Sequence, residues 1–260
     1  MPFGSDIALT PGLPIFARLY IKLFGAPIMG LRIRARTILP FLAEVGQPQR
    51  IADAGSGRGV MTLACARRFP QAEVIGIDLL ASQNAINNEI TRQVGLGNRV
   101  HFETWDVLRL PELGPFDLII CSDALEHIED DHTTVHRFFQ ALKPGGHLLV
   151  HVPHLTRNLF GWHRENWLDI EGHVRPGYTR DGLITLLQQG GFRVTKCVYN
   201  YNSLETLATN ISKLISGGRE SNKGLYALAF PGMMLLASLG ALYKPKHDGS
   251  GLVALARREA

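Results

Sequence analysis

The chain has 260 residues, of which 45% are apolar and 19% charged, with 27 Gly, 14 Pro, 3 Cys and a formal net charge of +4. That apolar share excludes wholesale disorder, and Gly and Pro without a period exclude collagen-like and low-complexity classes. Cys65, Cys121 and Cys197 are odd in number and far apart, which excludes a disulfide framework and favours a reducing, cytoplasmic compartment; a modest net charge without a concentrated basic face points away from nucleic acid.

Residues 1–14 carry Asp6 and no basic stretch ahead of an apolar run, so no secretory signal is expected. Residues 1–49 read as an apolar, basic helical leader with Arg18, Lys22, Arg32, Arg34 and Arg36. From residue 50 the pattern alternates. Strands are predicted at 50–54, 73–78, 99–105, 116–122 and 146–152, with helices at 59–69, 81–94 and 131–142, and Lys143-Pro144-Gly145-Gly146 reads as a helix stop. A helix at 180–189 and strands at 192–199 and 251–257 follow, leaving about 201–249 as an insertion. Strands alternating with helices predict an α/β domain, doubly wound on a parallel sheet, over 50–260.

Ile51-Ala52-Asp53-Ala54-Gly55-Ser56-Gly57-Arg58-Gly59 runs from a strand into a helix. Alternate glycines let the backbone turn sharply and let a ligand approach the main chain. Asp78 ends the second strand, where a carboxylate can accept both hydroxyl protons of a ribose, and Asp106 follows the third. A dinucleotide fingerprint would read GxGxxG, whereas this loop reads GxGxG, and Asp53 ahead of it would repel a pyrophosphate and suit an ammonium group. The ligand implied is a nucleoside bearing an amino acid.

With Val74-Ile75-Gly76-Ile77-Asp78, Trp105-Asp106, Phe116-Asp117-Leu118-Ile119-Ile120 and Leu142-Lys143-Pro144-Gly145-Gly146 in the same order, the stretch 51–194 resembles a class I S-adenosylmethionine-dependent methyltransferase. The resemblance implies a Rossmann-like, seven-stranded sheet ending in a reversed C-terminal β-hairpin, with an apolar helical insertion between its last two strands. It implies that Asp53, Gly55, Gly57 and Gly59 hold the methionine portion, Asp78 the ribose, Leu79 the adenine face, and Asp106 with Val107 the adenine edge. Cys121 and Ser122 would face the methyl group. Helix capping by Asp53 and Asp78, and core packing of Leu79 and Cys121, are the alternatives.

Asp123-Ala124-Leu125-Glu126-His127 follows the fourth strand; on a helical turn its two acids and imidazole would share a face. Quinone-pathway and small-RNA methyltransferases carry Glu-x-x-Glu-His there as a divalent metal site. Asp123 departs from that pattern, so metal is the minor expectation. Acid–base work is the other reading, with His127 and His173 as candidate bases. His173 lies in a stretch, Glu171 to Thr179, similar to the acceptor side of quinone-biosynthesis methyltransferases, and Trp162 and Trp167 would wall a greasy pocket.

Leu225 to Tyr243 carries no formal charge and is flanked by Lys223, Lys244 and Lys246. Its length suits a membrane span, but the flanking strands must return to one sheet, so a segment broken at Pro231-Gly232 and lying at an interface is expected. The function expected is methyl transfer, by direct in-line displacement, from S-adenosylmethionine to a small lipophilic acceptor of quinone, isoprenoid or glycolipid type, with oxygen favoured. Peripheral membrane contact through 225–243 and the basic leader, or a greasy acceptor tunnel, goes with it; a hydrophobic lid packed on the protein's own core, or a dimer interface, is the alternative for that segment. A soluble small-molecule or sugar acceptor, and a non-catalytic lipid-binding or scaffold protein, are the alternatives.

Overall fold

The computed structural model describes residues 1–165, 172–216, 223–243, 245 and 247–259. Its strands are β1 (Arg50–Ala54), β2 (Glu73–Asp78), β3 (Val100–Thr104), β4 (Phe116–Ser122), β5 (Leu142–Pro153), a small hairpin of β6 (Thr156–Leu159) and β7 (Trp162–Glu165), then β8 (Phe192–Asn200) and β9 (Gly251–Arg258). The helices are α1 (Ile15–Phe24), α2 (Met29–Phe41), α3 (Val60–Arg68), α4 (Ala81–Gln93), α5 (Asp131–Ala141), α6 (Arg180–Gln189), α7 (Ser203–Ser216) and α8 (Lys223–Gly240).

Seven strands form one sheet in the order β3-β2-β1-β4-β5-β9-β8. Neighbours from β3 through β5 run parallel, and β9 lies antiparallel to both β5 and β8, the reversed edge that was expected. The central strands are buried on both faces and therefore read as continuous apolar runs; Leu118 to Cys121 are all inaccessible. One face packs α5 and α6 through Val135, Phe138, Leu183 and Leu187, and the other packs α2, α3 and α4 through Ile38, Leu63 and Ile90.

Two expectations change. α5 does end at Ala141, ahead of Lys143-Pro144-Gly145-Gly146, but that stretch belongs to the sheet and not to a loop: β5 begins at Leu142, which pairs with Phe116, and a register shift between Phe116 and Leu118, with Gly145 in the left-handed region, resets the pairing to Leu118 opposite His147. Nor does Pro231-Gly232 break the insertion. α8 runs unbroken through Pro231, although a proline removes the N–H that would reach the carbonyl four residues back. That carbonyl, of Ala227, accepts instead from the Tyr20 hydroxyl of α1 at 2.7 Å.

The N-terminal segment and the insertion pack together. Met29 and Ile33 of α2, Ala208 of α7, and Phe230, Met233 and Ala237 of α8 share a core with Tyr201. Much of the leader's charge serves that packing. Arg32 Nη1 donates to the carbonyls of Phe24 and Ala26, Arg36 Nη1 to that of Ala237 at 2.5 Å, and Arg34 to Asp123.

Candidate active site

The strand order reverses between β1 and β4, and in open α/β sheets the crevice outside the carboxyl ends at that point takes the ligand. The two loops that form it touch: a side chain at Gly55 would bring its Cβ to 2.5 Å from that of Ala124. Gly55 and Ser56 donate their N–H groups to the Ile77 carbonyl at 2.8 and 2.9 Å, and Gly57 N–H donates to Asp78 Oδ2 at 2.9 Å. Asp78 Oδ1 accepts from Leu80 N–H at 3.0 Å. Asp78 thus ties the end of β2 to the glycine loop, and each oxygen keeps a second lone-pair direction. Gly55, Gly57 and Gly59 all have positive φ, and at Gly57 nothing lies within 4 Å of where a Cβ would stand.

Asp53 is buried beneath this loop, where Oδ2 accepts from Thr62 Oγ1 at 2.5 Å. Burial raises its pKa to about 6 against that hydrogen bond. Leu79 is 71% exposed at the strand end and not in the core. Asp106 Oδ1 caps the short helix that follows by accepting from Leu108 N–H at 2.9 Å, and Val107 is half-buried against the sheet core. Cys121 is inaccessible within the core, where burial raises its thiol pKa, which is the core-packing alternative and not a position facing the crevice.

Three buried polar atoms border this crevice without a hydrogen-bond partner among the described residues: Ser56 Oγ, Asn84 Oδ1 and Ser122 Oγ. Natural structures rarely leave such groups unmet. With the open cradle at Gly57 and the exposed Leu79, they fit a polar nucleoside ligand with an amino-acid portion.

Beyond β4 the chain does not form the helical turn that would gather Asp123 with Glu126 and His127. Asp123 has φ +54° and a single 3-10 turn spans Leu125–His127. Asp123 lines the same cavity as Glu126 and His127 but is held by other partners, accepting from Arg34 and pairing with His151 Nδ1. Burial would raise the Asp123 carboxyl, but Arg34 and then His151 overcome it and hold its pKa below the usual carboxylate range. Glu126 goes the other way: burial, then the charge of Asp123, push its pKa well above normal, and its Oε2 has no partner among the described residues.

His127 and His173 do meet, edge to face with ring centroids 4.6 Å apart. The 172–178 segment is fastened to the 125–131 segment by Val174 N–H donating to the Glu126 carbonyl at 3.0 Å and by Arg175 paired with Asp131. His127 Nδ1 lies 3.0 Å from the Gly172 carbonyl. A carbonyl only accepts, so Nδ1 carries the proton and Nε2 is left as the acceptor. Burial, then the neighbouring His127 ring, lower the His173 pKa to about 4, leaving that ring neutral. One ligand atom each from Glu126, His127 and His173 fall within 4.8 Å of one another, a donor set that could hold a divalent cation.

These groups stand at one end of a cavity of about 960 Å³. Its apolar walls come from Phe16 and Tyr20 of α1, Met29 of α2 and Tyr226 of α8, with Tyr201 and His151 near the acids. Trp162 is 83% exposed and does not line it, and Trp167 lies outside the described residues. Arg34, His151 and Tyr201 were not read as site residues in the sequence. Arg34 was visible only as one of several leader cations, and nothing local marks a residue that acts 89 positions away.

A family model described as a methyltransferase domain matches residues 31–196. The chain is 30% identical over 161 residues to the trans-aconitate 2-methyltransferase of Pseudomonas paraeruginosa, covering 60% of this chain and 54% of that one. It is 28% identical over 114 residues to the ubiquinone biosynthesis O-methyltransferase of Cronobacter sakazakii, covering 44% and 45%. The chain spans about half the length of these relatives. Among solved structures, the O-methyltransferase of a trans-AT PKS multienzyme of Brevibacillus brevis, in complex with S-adenosyl-L-homocysteine, shares the fold with a TM-score of 0.59 at 17% identity, over 98% of this chain and 79% of that one.

Proposed function

The chain belongs to the methyltransferase-domain family, and on that premise we propose that it transfers a methyl group from S-adenosylmethionine to an oxygen of a small lipophilic acceptor. The observation that carries this reading is the placement of a largely apolar cavity of about 960 Å³ directly against His127, His173 and the β1/β4 crevice. When bound, S-adenosylmethionine supplies a methyl group already activated by its sulfonium. Asp78 and the glycine loop orient the nucleoside, Leu79 covers its base, and Asp53 sets a negative charge beneath the amino-acid portion. His127 Nε2 takes the proton of the acceptor hydroxyl, while the Gly172 carbonyl keeps Nδ1 protonated and the ring fixed. His173 stays neutral and packs edge-on against that ring. The acceptor's apolar part lies along α1, α2 and α8, which line the same cavity as the two histidines.

The Glu126, His127 and His173 set favours a second reading, in which these three residues would hold a divalent cation that would supply Lewis-acid activation of the acceptor hydroxyl. Both readings are tested with methyl-labelled S-adenosylmethionine and two acceptor panels, one of hydroxylated amphiphiles and one of soluble acids and sugars, each with and without chelator. Label in the organic-extractable hydroxylated products supports the lipophilic acceptor; label confined to the water-soluble panel contradicts it. Activity that survives chelation assigns the step to His127 alone.

A further inference from the structure

A helix on the surface of a soluble domain ordinarily turns a polar face outward. α8 does not. Its inward stripe, Phe230, Met233 and Ala237, belongs to the core shared with α2 and α7. Its outward stripe is also apolar: Leu228 is 80% exposed, Leu235 64% and Leu239 51%, and Leu242 just beyond is 85% exposed. Beside it, α1 leaves Ile15, Phe16, Leu19 and Leu23 between 60% and 72% exposed. The Tyr20 hydroxyl on the Ala227 carbonyl, and the Tyr20 and Phe230 rings 6.4 Å apart, join the two helices into one platform.

We propose that α1 and α8 together form a membrane-docking face that rests in the headgroup region of an anionic bilayer. The charges select that occupant. Neither helix contains an acidic residue, while Arg18 and Lys22 lie on α1 and Lys223 opens α8. Acidic headgroups complement this set. A second copy of the chain, joined by a two-fold contact, would bring the same cations face to face. α8 lies along the surface and does not cross the bilayer, because its inner stripe is held in the domain and the chain after it returns to the sheet as β9. The cavity that His127 lines is also lined by Phe16 of α1 and Lys223 of α8, so it borders this face. Entry of the acceptor from the membrane rests on the proposed function; docking itself does not.

The test is flotation of the purified full chain with vesicles of phosphatidylcholine alone or mixed with phosphatidylglycerol. Two double variants accompany it, Leu19→Glu with Leu23→Glu and Leu235→Glu with Leu239→Glu. Retained binding of S-adenosylhomocysteine shows that a variant is folded. Docking predicts flotation with the anionic vesicles, loss at raised salt, and partitioning lowered roughly tenfold or more by either pair. No flotation with either vesicle, or flotation unchanged by both pairs, overturns it. A wild-type dimer made monomeric by Leu235→Glu with Leu239→Glu, without lipid binding, would assign the face to a second copy. Failure to bind S-adenosylhomocysteine in wild-type protein that still floats overturns the methyl-transfer reading and leaves docking standing.

Discussion

Arg34, on the second helix of the N-terminal segment, donates its guanidinium to Asp123, 89 positions later at the end of β4. Through this pair the N-terminal helices become a wall of the active-site cavity. Asp123 also holds His151, so removing Arg34 leaves a largely enclosed carboxylate with one partner fewer. Arg34→Met is expected to cost about 2 kcal/mol, given what a partly buried charged hydrogen bond loses when one partner goes. For a chain of this length that is a fall of about 4–8 °C in Tm, measured by calorimetry. Arg34→Lys should recover part of it, and an unchanged Tm in both would remove the pair from the account.

The link between Tyr20 and Ala227 gives a prediction about the unbroken helix. Tyr20→Phe strands the carbonyl that Pro231 cannot serve, at a cost of about 1 kcal/mol. In a Pro231→Ala background that carbonyl regains a backbone donor, so the same Tyr20→Phe change should cost less. A double-mutant cycle of denaturant midpoints measures the difference, and equal costs in both backgrounds would mean that the hydroxyl does not replace the missing N–H.

Asp53 predicts a pH dependence. Burial raises its pKa to about 6 in the folded chain, above its value of 3.8 when exposed. Its contribution to the stability of the free protein is therefore full below pH 3.8 and is lost as pH rises through 6. A ligand ammonium group favours the ionised carboxylate, so affinity for S-adenosylhomocysteine moves the opposite way. It should rise from pH 5 to 7 and level off, with the rise absent in Asp53→Asn; calorimetric titration across that range measures it.

His127→Ala should lower turnover by a factor on the order of 10² to 10³, as loss of a general base does, with affinity for S-adenosylhomocysteine changed little. His173→Ala should cost less, because a ring held near pKa 4 is a poor proton acceptor at neutral pH. If the two losses are equal and added divalent ion restores wild-type activity after chelation, the cation reading replaces the base.

Much of the fold was legible because its signals are local. The strands of the sheet were found within a residue or two, except where the Lys143–Gly146 stretch joins β5. The glycine loop and Asp78 were legible for the same reason. What was not legible depends on contacts between distant segments. Cys121 and Leu79 both looked like core or ligand residues, and only the alternation of β4 on a sheet covered on both faces buries the first while the second ends up exposed past β2. Cys121→Ala should accordingly weaken the fold by about 1 kcal/mol and leave ligand affinity intact. Asp123 could not be separated from Glu126 and His127 by spacing, because a left-handed residue replaced the expected helical turn.

The most direct test of the account is calorimetric titration of S-adenosylhomocysteine into the wild type and Asp78→Ala, with NAD as the control ligand. Asp78 joins the glycine loop to the end of β2 and keeps lone pairs for a ribose diol. The account predicts binding to the wild type, affinity lower by a factor of about 10 or more in the variant, as losing charged hydrogen bonds implies, and none to NAD. Folded wild-type protein that binds no S-adenosylhomocysteine, or that binds NAD in its place, would contradict it.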